Sequence, residues 1–366
     1  MSTPTAPDAL PARPAPETPA PAAASAAGTP GLTVVLPAFD AEATLGAQLA
    51  ALHAQERSFD WEVLVCDNGS TDGTRDVVGA WATRLPGLRL VDASRRRGAA
   101  AARNVGIEHA RAERIAFCDA DDVVGAGWAQ AMHDALVLHP FVAGRLDGTM
   151  LNDARTLRSR EVPQSDELKT SWLVPGAVHA GAGNLGIRRS VLDHVGGFCE
   201  AAPALEDTDL CWRVQLAGFP LVRAPQALVH VRLRDGVRTA YGQGSAYGRG
   251  ERWLERRFTD GPFAEAVRAR VAEVAPAPSA VEEAPEDADA RPRGAADHTS
   301  GLAAVLGELR AAAGRGALAL AWTVGWELAL HAEGVVGRDT VGPGACTCCP
   351  APGSRYAVPR RRRALS

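Results

Sequence analysis

A chain of 366 residues with 39 basic and 43 acidic side chains carries a net charge of −4, which excludes the global positive field of a nucleic-acid binder. Its seven cysteines, an odd number without paired spacing, exclude a disulfide-framed secreted scaffold. No uncharged apolar run reaches the roughly 18 residues that a membrane-spanning helix needs.

Residues 1–30 are Pro/Ala-rich, contain no apolar run and read as a disordered arm that lacks the hydrophobic core of a signal peptide. The expected location is therefore cytoplasmic. Four short apolar runs come next: "LTVVLP" from Leu32, "WEVLVC" from Trp61, "LRLV" from Leu88 and "RIAFC" from Arg114. Helical patterns fill the gaps at 41–54, 72–84 and 99–110. Strands alternating with helices of this length predict βαβ units, a mostly parallel sheet and an α/β fold. Ligand is then expected at the carboxyl ends of the strands. Polar loops stand at three of those ends: "PAFDAE", "DNGSTDGT" and "DADD". Cys66, Cys118, Cys199 and Cys211 sit singly in apolar or helical patterns and read as buried thiols.

The stretch "GAGNLG" from Gly181 matches Gly-x-Gly-x-x-Gly, with Glu200 and Glu206 about 20 residues on, the outline of a dinucleotide fingerprint. The residues before it, "SWLVPGAVHA", contain Pro175 and Gly176 and make a poor central strand. Glu206 is followed by a helical pattern through Leu210, Val214 and Ala217, so it opens a helix and does not close a strand. The match is read as coincidence. Glu206 and Asp207 at a helix start have two readings: complements to the helix dipole, or ionised groups fit for general-base work. "DADD" at 119–122 likewise reads as a solvated turn capping the helix near Trp128, or as oxygen ligands for Mg²⁺ or Mn²⁺.

Five blocks together, "VVLPAFDAEATL", "VLVCDNGSTDGT", "GAAAARNVGIEHARAERIAFCDADD", "GAGNLGIRRSVLDHVGGF" and "EDTDLCWRVQLAG", resemble the family 2 inverting glycosyltransferases over residues 32–232. The resemblance implies a GT-A fold, an enzyme of hexosyltransferase type, cell-envelope or polysaccharide glycan synthesis, a nucleotide-diphosphate sugar donor (a UDP-sugar favoured) and a divalent cation, Mn²⁺ or Mg²⁺. It places Phe39 on the nucleobase, with Pro37, Ala38 and Asp40 beside it. Asp67 and Asn68 stand where the family contacts uracil; Asn68 replaces an acid there. Gly98, Arg103, Asp119 and Ala120 fall in the donor site. Asp121, Asp119 and His230 are the implied metal or diphosphate ligands. Asp207 falls at the catalytic base, with Glu206 beside it for the acceptor. Two other readings stay open, a non-catalytic nucleotide-sugar-binding module and a sugar nucleotidylyltransferase. The second would need a Gly-rich basic phosphate loop near the start, which "VVLPAFDAEATL" lacks. The acceptor is a glycan, a lipid-linked or a small molecule; no nucleic acid is implied.

These blocks set a glycosyltransferase domain at 31–260. After His230 the chain is arginine-rich with Tyr241, Tyr247, Trp253 and Phe258. It either meets an anionic or lipid-linked acceptor or forms a basic helix bracing the C-terminal segment, and the second reading is preferred. Residues 275–300 are acidic, Pro/Ala-rich and read as a linker. Residues 301–336 read as a helical extension whose apolar segment "GALALAWTVGWELAL" packs on the main domain in preference to lying on the inner face of a membrane. The tail, 340–366, is expected to be disordered; Cys346, Cys348 and Cys349 have no second pair at zinc spacing.

Overall fold

The computed structural model describes residues 28–274 and 302–331. The expected linker and tail, and nearly all of the expected arm, lie outside the described residues.

The first half alternates as the apolar runs predict. It comprises β1 (Leu32–Ala38), α1 (Glu42–His53), β2 (Trp61–Asp67), α2 (Thr74–Trp81), β3 (Leu88–Asp92), α3 (Ala99–His109) and β4 (Arg114–Cys118). The next stretch holds β5 (Val123–Val124), α4 (Trp128–Leu138), β6 (Phe141–Asp147), α5 (Ala154–Ser159), β7 (Lys169–Thr170) and β8 (Val178–His179). Then come β9 (Asn184–Arg188), α6 (Arg189–Val195), α7 (Glu206–Leu216) and β10 (Val222–His230). Four helices close the series: α8 (Val237–Thr259), α9 (Ala264–Val274), α10 (Leu302–Arg315) and α11 (Ala317–His331).

Eight strands form one sheet in the order β3-β2-β1-β4-β9-β6-β10-β5, and β7 pairs with β8 apart from it. Strands β3, β2, β1 and β4 are parallel, and β6 runs parallel to β10. Within this mixed sheet two strands run antiparallel to their neighbours: β9 enters between β4 and β6, and the two-residue β5 pairs with β10. A parallel neighbour requires a crossover helix; an antiparallel one does not. Between β6 and β9 the chain forms only the short α5 and the β7–β8 pair before re-entering the sheet. This reversal matters for the site, because it brings the start of β9 to the carboxyl end of β4, with Asn184 opposite Cys118.

Side chains alternate across the sheet with the two-residue period of a strand. Val35, Leu64 and Phe117 point to one face and pack with Leu210, Trp212 and Val214 of α7 and Leu254 and Phe258 of α8. Val34, Leu36, Val63 and Val65 point to the other, against Leu45 and Leu49 of α1 and Trp128 and Met132 of α4. Cys66, Cys118, Cys199 and Cys211 are all buried, as their apolar settings predict.

Helix α8 is fixed to α7 through a buried charge centre. Asp209 accepts from Arg213 at 2.7 Å and from Arg257 of α8 at 2.5 Å, and Asp209 and Arg213 are fully buried. Trp212 adds edge-on contacts to Trp172 and Phe258, with ring centroids 4.9 and 5.2 Å away. Helix α11 lies on α8 across a seam of glycines. A Cβ on Gly244, Gly248 or Gly325 would sit 2.0–2.4 Å from a backbone oxygen of the facing helix, so only hydrogen permits this approach. The apolar C-terminal segment is thus packed on the main domain, and α8 is its brace. Among the described residues no helix is long and apolar enough to cross a membrane.

Candidate active site

The carboxyl ends of β1, β2 and β4, the start of β9 and the start of α7 open into one cleft of about 1480 Å³. Pro37, Ala38, Phe39, Asp40, Asn68, Gly98, Arg103, Asp119, Ala120, Asp121, Glu206 and Asp207 all line it. Two residues expected there do not: Asp67 and His230.

Arg103 is the link between loops far apart in sequence. Its side chain on α3 is buried, with its guanidinium 5.4 Å above the Phe198 ring. It donates to Asp119 Oδ1 at 2.8 Å and to Glu206 Oε1 at 2.9 Å. One cation thereby joins the acids that end β4 to those that begin α7. Those two carboxylates hold its charge more firmly than water would, despite the burial that opposes it.

The "DADD" turn is pinned from α1. Gln48 is fully buried, donates to the Asp119 carbonyl at 3.0 Å and accepts from the Val124 N–H at 2.9 Å. No aspartate caps α4, whose N-cap is Gly127. Asp122 is buried and accepts from the Arg232 N–H at 2.7 Å. Burial first, and the charge of Asp119 second, push both the Asp121 and the Asp122 carboxyls above the usual range. Asp121 itself opens to the cleft, where Arg232 and Arg234 partly offset that repulsion.

Asp207 stands across the cleft from this turn. Its Oδ1 accepts from the Thr208 N–H at 2.8 Å and its Oδ2 from the Ala182 N–H at 3.2 Å. Burial, then repulsion by Glu206, push its carboxyl up to about 6, while Arg103 and the two N–H groups pull against that rise. A carboxyl poised near neutrality is what a general base requires. The residue before the pair, Leu205, has φ 61°, a left-handed conformation that costs a branched side chain energy. The other non-glycine residues at positive φ, Asp40 and Gln164, also border the site; Gln164 accepts from the Gly181 N–H at 2.9 Å. Among the described residues, two of the three therefore line the cleft, and the third, Gln164, braces the lining residue Gly181 from behind.

The "GAGNLG" stretch receives a different physical reason. It leads into the antiparallel β9 and not into a helix, so the dinucleotide reading fails on topology. A Cβ on Gly183 would lie 2.8 Å from Asp119 Oδ2, and one on Gly186 would lie 2.6 Å from Met132 Sδ. The glycines allow carboxylate and helix to approach the backbone. Glu200 pairs with Arg96 at 2.8 Å and takes no part in the cleft.

At the β1–β2 end, Phe39 is 48% exposed, and the Arg97 guanidinium lies 5.3 Å from its ring. Asp40 Oδ1 accepts from the Thr71 N–H at 2.7 Å, fixing the two loops to each other. Asn68 spends its amide within the protein. Its Nδ2 donates to the Ala93 and Arg96 carbonyls at 2.7 Å each, and its Oδ1 accepts from Gly98 N–H at 2.7 Å. It shapes the arginine loop at 95–97. Asp67 is corrected outright: it is fully buried beneath the cleft, paired with Arg75 at 2.6 Å. The last strand position faces inward here, and only the next residue reaches the lining.

His230 ends β10 with its backbone paired to Val123. Its Nδ1 is buried, hydrogen-bonded to nothing and 3.9 Å from Asp147 Oδ1. It lies behind the aspartate turn and outside the cleft lining. Among the described residues no three His, Cys, Asp or Glu side chains converge as a preformed metal cluster. Asp119 and Asp121 nevertheless fit a hard divalent cation. Both are oxygen donors on the cleft side of a turn whose carboxylates repel each other, charge that a cation would relieve.

The opposite end of the cleft was not foreseen residue by residue. Arg160, Gln243 and Tyr247, with Arg315, Trp322 and Thr323 from α10 and α11, complete its wall. They belong to no motif. The spacing Gly244-x-x-x-Gly248 in α8 was the one available signal that another backbone lies against that helix.

Comparison with known proteins agrees with this architecture. Residues 33–196 match the family model described as glycosyl transferase family 2. The pre-mycofactocin glycosyltransferase of Mycobacterium tuberculosis is 28% identical over 235 residues, covering 59% of this chain and 46% of that protein. The UDP-Glc:alpha-D-GlcNAc-diphosphoundecaprenol beta-1,3-glucosyltransferase WfgD of Escherichia coli is 34% identical over 92 residues, covering 25% of this chain and 35% of that one. The chain thus spans less than half the length of these two relatives. In fold it is similar to the mannosyltransferase PcManGT from Pyrobaculum calidifontis, at TM-score 0.52 and 19% identity over 82% of this chain and 87% of that one. The segment that builds the sheet from β1 to β9, with the site at its carboxyl edge, is a family 2 glycosyltransferase domain of GT-A fold.

Proposed function

We propose that the protein transfers a sugar from a nucleotide-diphosphate sugar to an acceptor hydroxyl, with inversion at the anomeric carbon and Asp207 as general base. The observation that carries the reading is the shared cleft: Asp207 and the aspartates after β4 line one cavity, and Arg103 joins Asp119 to Glu206, the neighbour of Asp207.

Phe39, exposed beside Asp40 and Gly98, offers a ring face to the nucleobase, and Arg97 stands by it to meet the phosphates. Asp207 takes the acceptor hydroxyl proton as that oxygen attacks the anomeric carbon. Glu206, held by Arg103, orients the acceptor beside it. The leaving nucleoside diphosphate departs from the opposite face, so no covalent sugar–enzyme bond is needed. Asp121 and Asp119 would hold a divalent cation, which when bound supplies positive charge against the diphosphate. His230, behind the turn, is left out of that ligand set. A UDP-sugar donor is supported by the Escherichia coli relative, named for UDP-Glc. A nucleotide sugar with a divalent cation is in keeping with the mannosyltransferase of similar fold, solved with GDP-Man and Mn²⁺. Residues 31–260 serve as the catalytic domain, and the C-terminal helices complete its acceptor wall.

The test is Asp207→Asn, which keeps the shape and one of the two N–H contacts but cannot accept a proton. Transfer should fall by roughly 10²–10⁴-fold, while UDP binding by calorimetry stays near that of the parent. Normal turnover by this variant would remove Asp207 from the mechanism.

A further inference from the structure

We infer that the far end of the cleft is a subsite for an anionic acceptor, read by Arg160 and Arg315 against an aromatic wall of Tyr247 and Trp322. The inference rests on the glycosyltransferase reading for the word acceptor, but its physical basis is separate.

The charges on the cleft floor are already arranged. Asp119 and Glu206 share Arg103, and Arg232 and Arg234 offset Asp121. Arg160 stands outside this arrangement. It comes directly after α5, is half-buried in the cleft wall, and donates to the Gln243 side-chain oxygen and the Arg234 carbonyl, both neutral. No carboxylate among the described residues lies within ion-pair distance of Arg160 or of Arg315. An arginine cannot shed its charge at any working pH. A guanidinium held in a partly desolvated wall without a counter-ion is costly, and an incoming anion is what offsets that cost. Burial weakens its hold on the proton, Tyr247 pulls against that change and the charge of Arg234 adds to it.

Two of its five N–H groups are engaged, and those contacts hold the fork in place. A pre-oriented planar fork suits phosphate or carboxylate oxygens. The rings of Tyr247 and Trp322 meet edge-on with centroids 6.2 Å apart, giving an apolar surface suited to one face of a sugar. Position separates this subsite from the donor. Strand β6, which leads into α5, is three strands from β1, roughly 14 Å at about 4.8 Å per strand. The shared chemistry is an acceptor sugar bearing an oxyanion, either a phosphate ester or a carboxylate.

The experiment is calorimetric titration of the full chain with glucose 1-phosphate, glucuronate and methyl glucoside, and separately with UDP. One charged probe should bind at least ten-fold more tightly than methyl glucoside, and which one identifies the anion. Arg160→Gln should weaken that probe by roughly 10–100-fold, the range for losing a charge-assisted hydrogen bond. Arg315→Gln, an exposed change that the fold tolerates, should weaken it less. Arg160→Lys should recover part of the loss. UDP affinity serves as the folding control. If the charged probes bind no better than methyl glucoside, or if Arg160→Gln weakens UDP in place of the charged probe, the inference is overturned. Should the parent fail to bind UDP while still preferring a charged sugar, the donor reading falls and the anion subsite stands.

Discussion

Replacing Arg103 by methionine keeps a long apolar stem and deletes the fork that joins Asp119 to Glu206. In a fully sealed pair, removing one partner costs roughly 3–5 kcal/mol because a charge is left buried alone. Here the side chains of Asp119 and Glu206 are 33% and 19% exposed, so water recovers part of that cost. We expect a loss of about 2–3 kcal/mol, below the sealed-pair range. At about 2–4 °C per kcal/mol for a domain of this size, Tm should fall by roughly 4–12 °C. A second readout separates this bridge from ordinary packing. Arg103 lowers the Asp207 carboxyl. Without it the acid limb of the transfer profile must move to higher pH. The assays are scanning calorimetry and the pH dependence of kcat/KM. An unchanged Tm together with an unmoved limb would refute the claim that one guanidinium couples the two loops.

For the unaltered chain, kcat/KM of the proposed transfer should rise as pH passes through about 6, where Asp207 loses its proton. Its folded value lies above the ordinary carboxyl value of about 3.9, so the folded state holds the proton more tightly. This group therefore favours folding most below about pH 4, and that contribution is lost as pH climbs to about 6. Asp209→Ala should cost about 3–5 kcal/mol by urea titration, since it leaves Arg213 and Arg257 without their shared carboxylate. Gly248→Leu should unseat α11, because even a Cβ there would lie 2.4 Å from the Trp326 carbonyl oxygen. Faster proteolysis of the C-terminal helices, with tryptophan emission shifted to the red, would register it; an intact digestion pattern would count against the seam.

The first four strands could be read directly, since each is an apolar run with turn residues at its ends. Strand β9 could not, because "NLGIR" is five residues with a glycine at its centre, and its partners lie at distant positions. The acids of the site were legible as residues, as was Arg103. What stayed hidden was the contact between them, which spans 103 residues of sequence from Arg103 to Glu206. Asp67 fell within a recognisable block and His230 beyond the last of them, yet strand alternation and pairing turn both away from the cavity. The wall made by α8 and α11 arises from tertiary packing of helices whose own sequences carry no chemical signature.

Where two helices approach so closely that peptide oxygens of one face glycine hydrogens of the other, side chains at the seam have little room to re-sort during partial sliding. A displacement of α11 along α8 must then clear peptide oxygens all at once, so intermediate positions are sterically closed. The far half of the chamber is either assembled or gone, an on–off property set by hydrogen atoms at three positions.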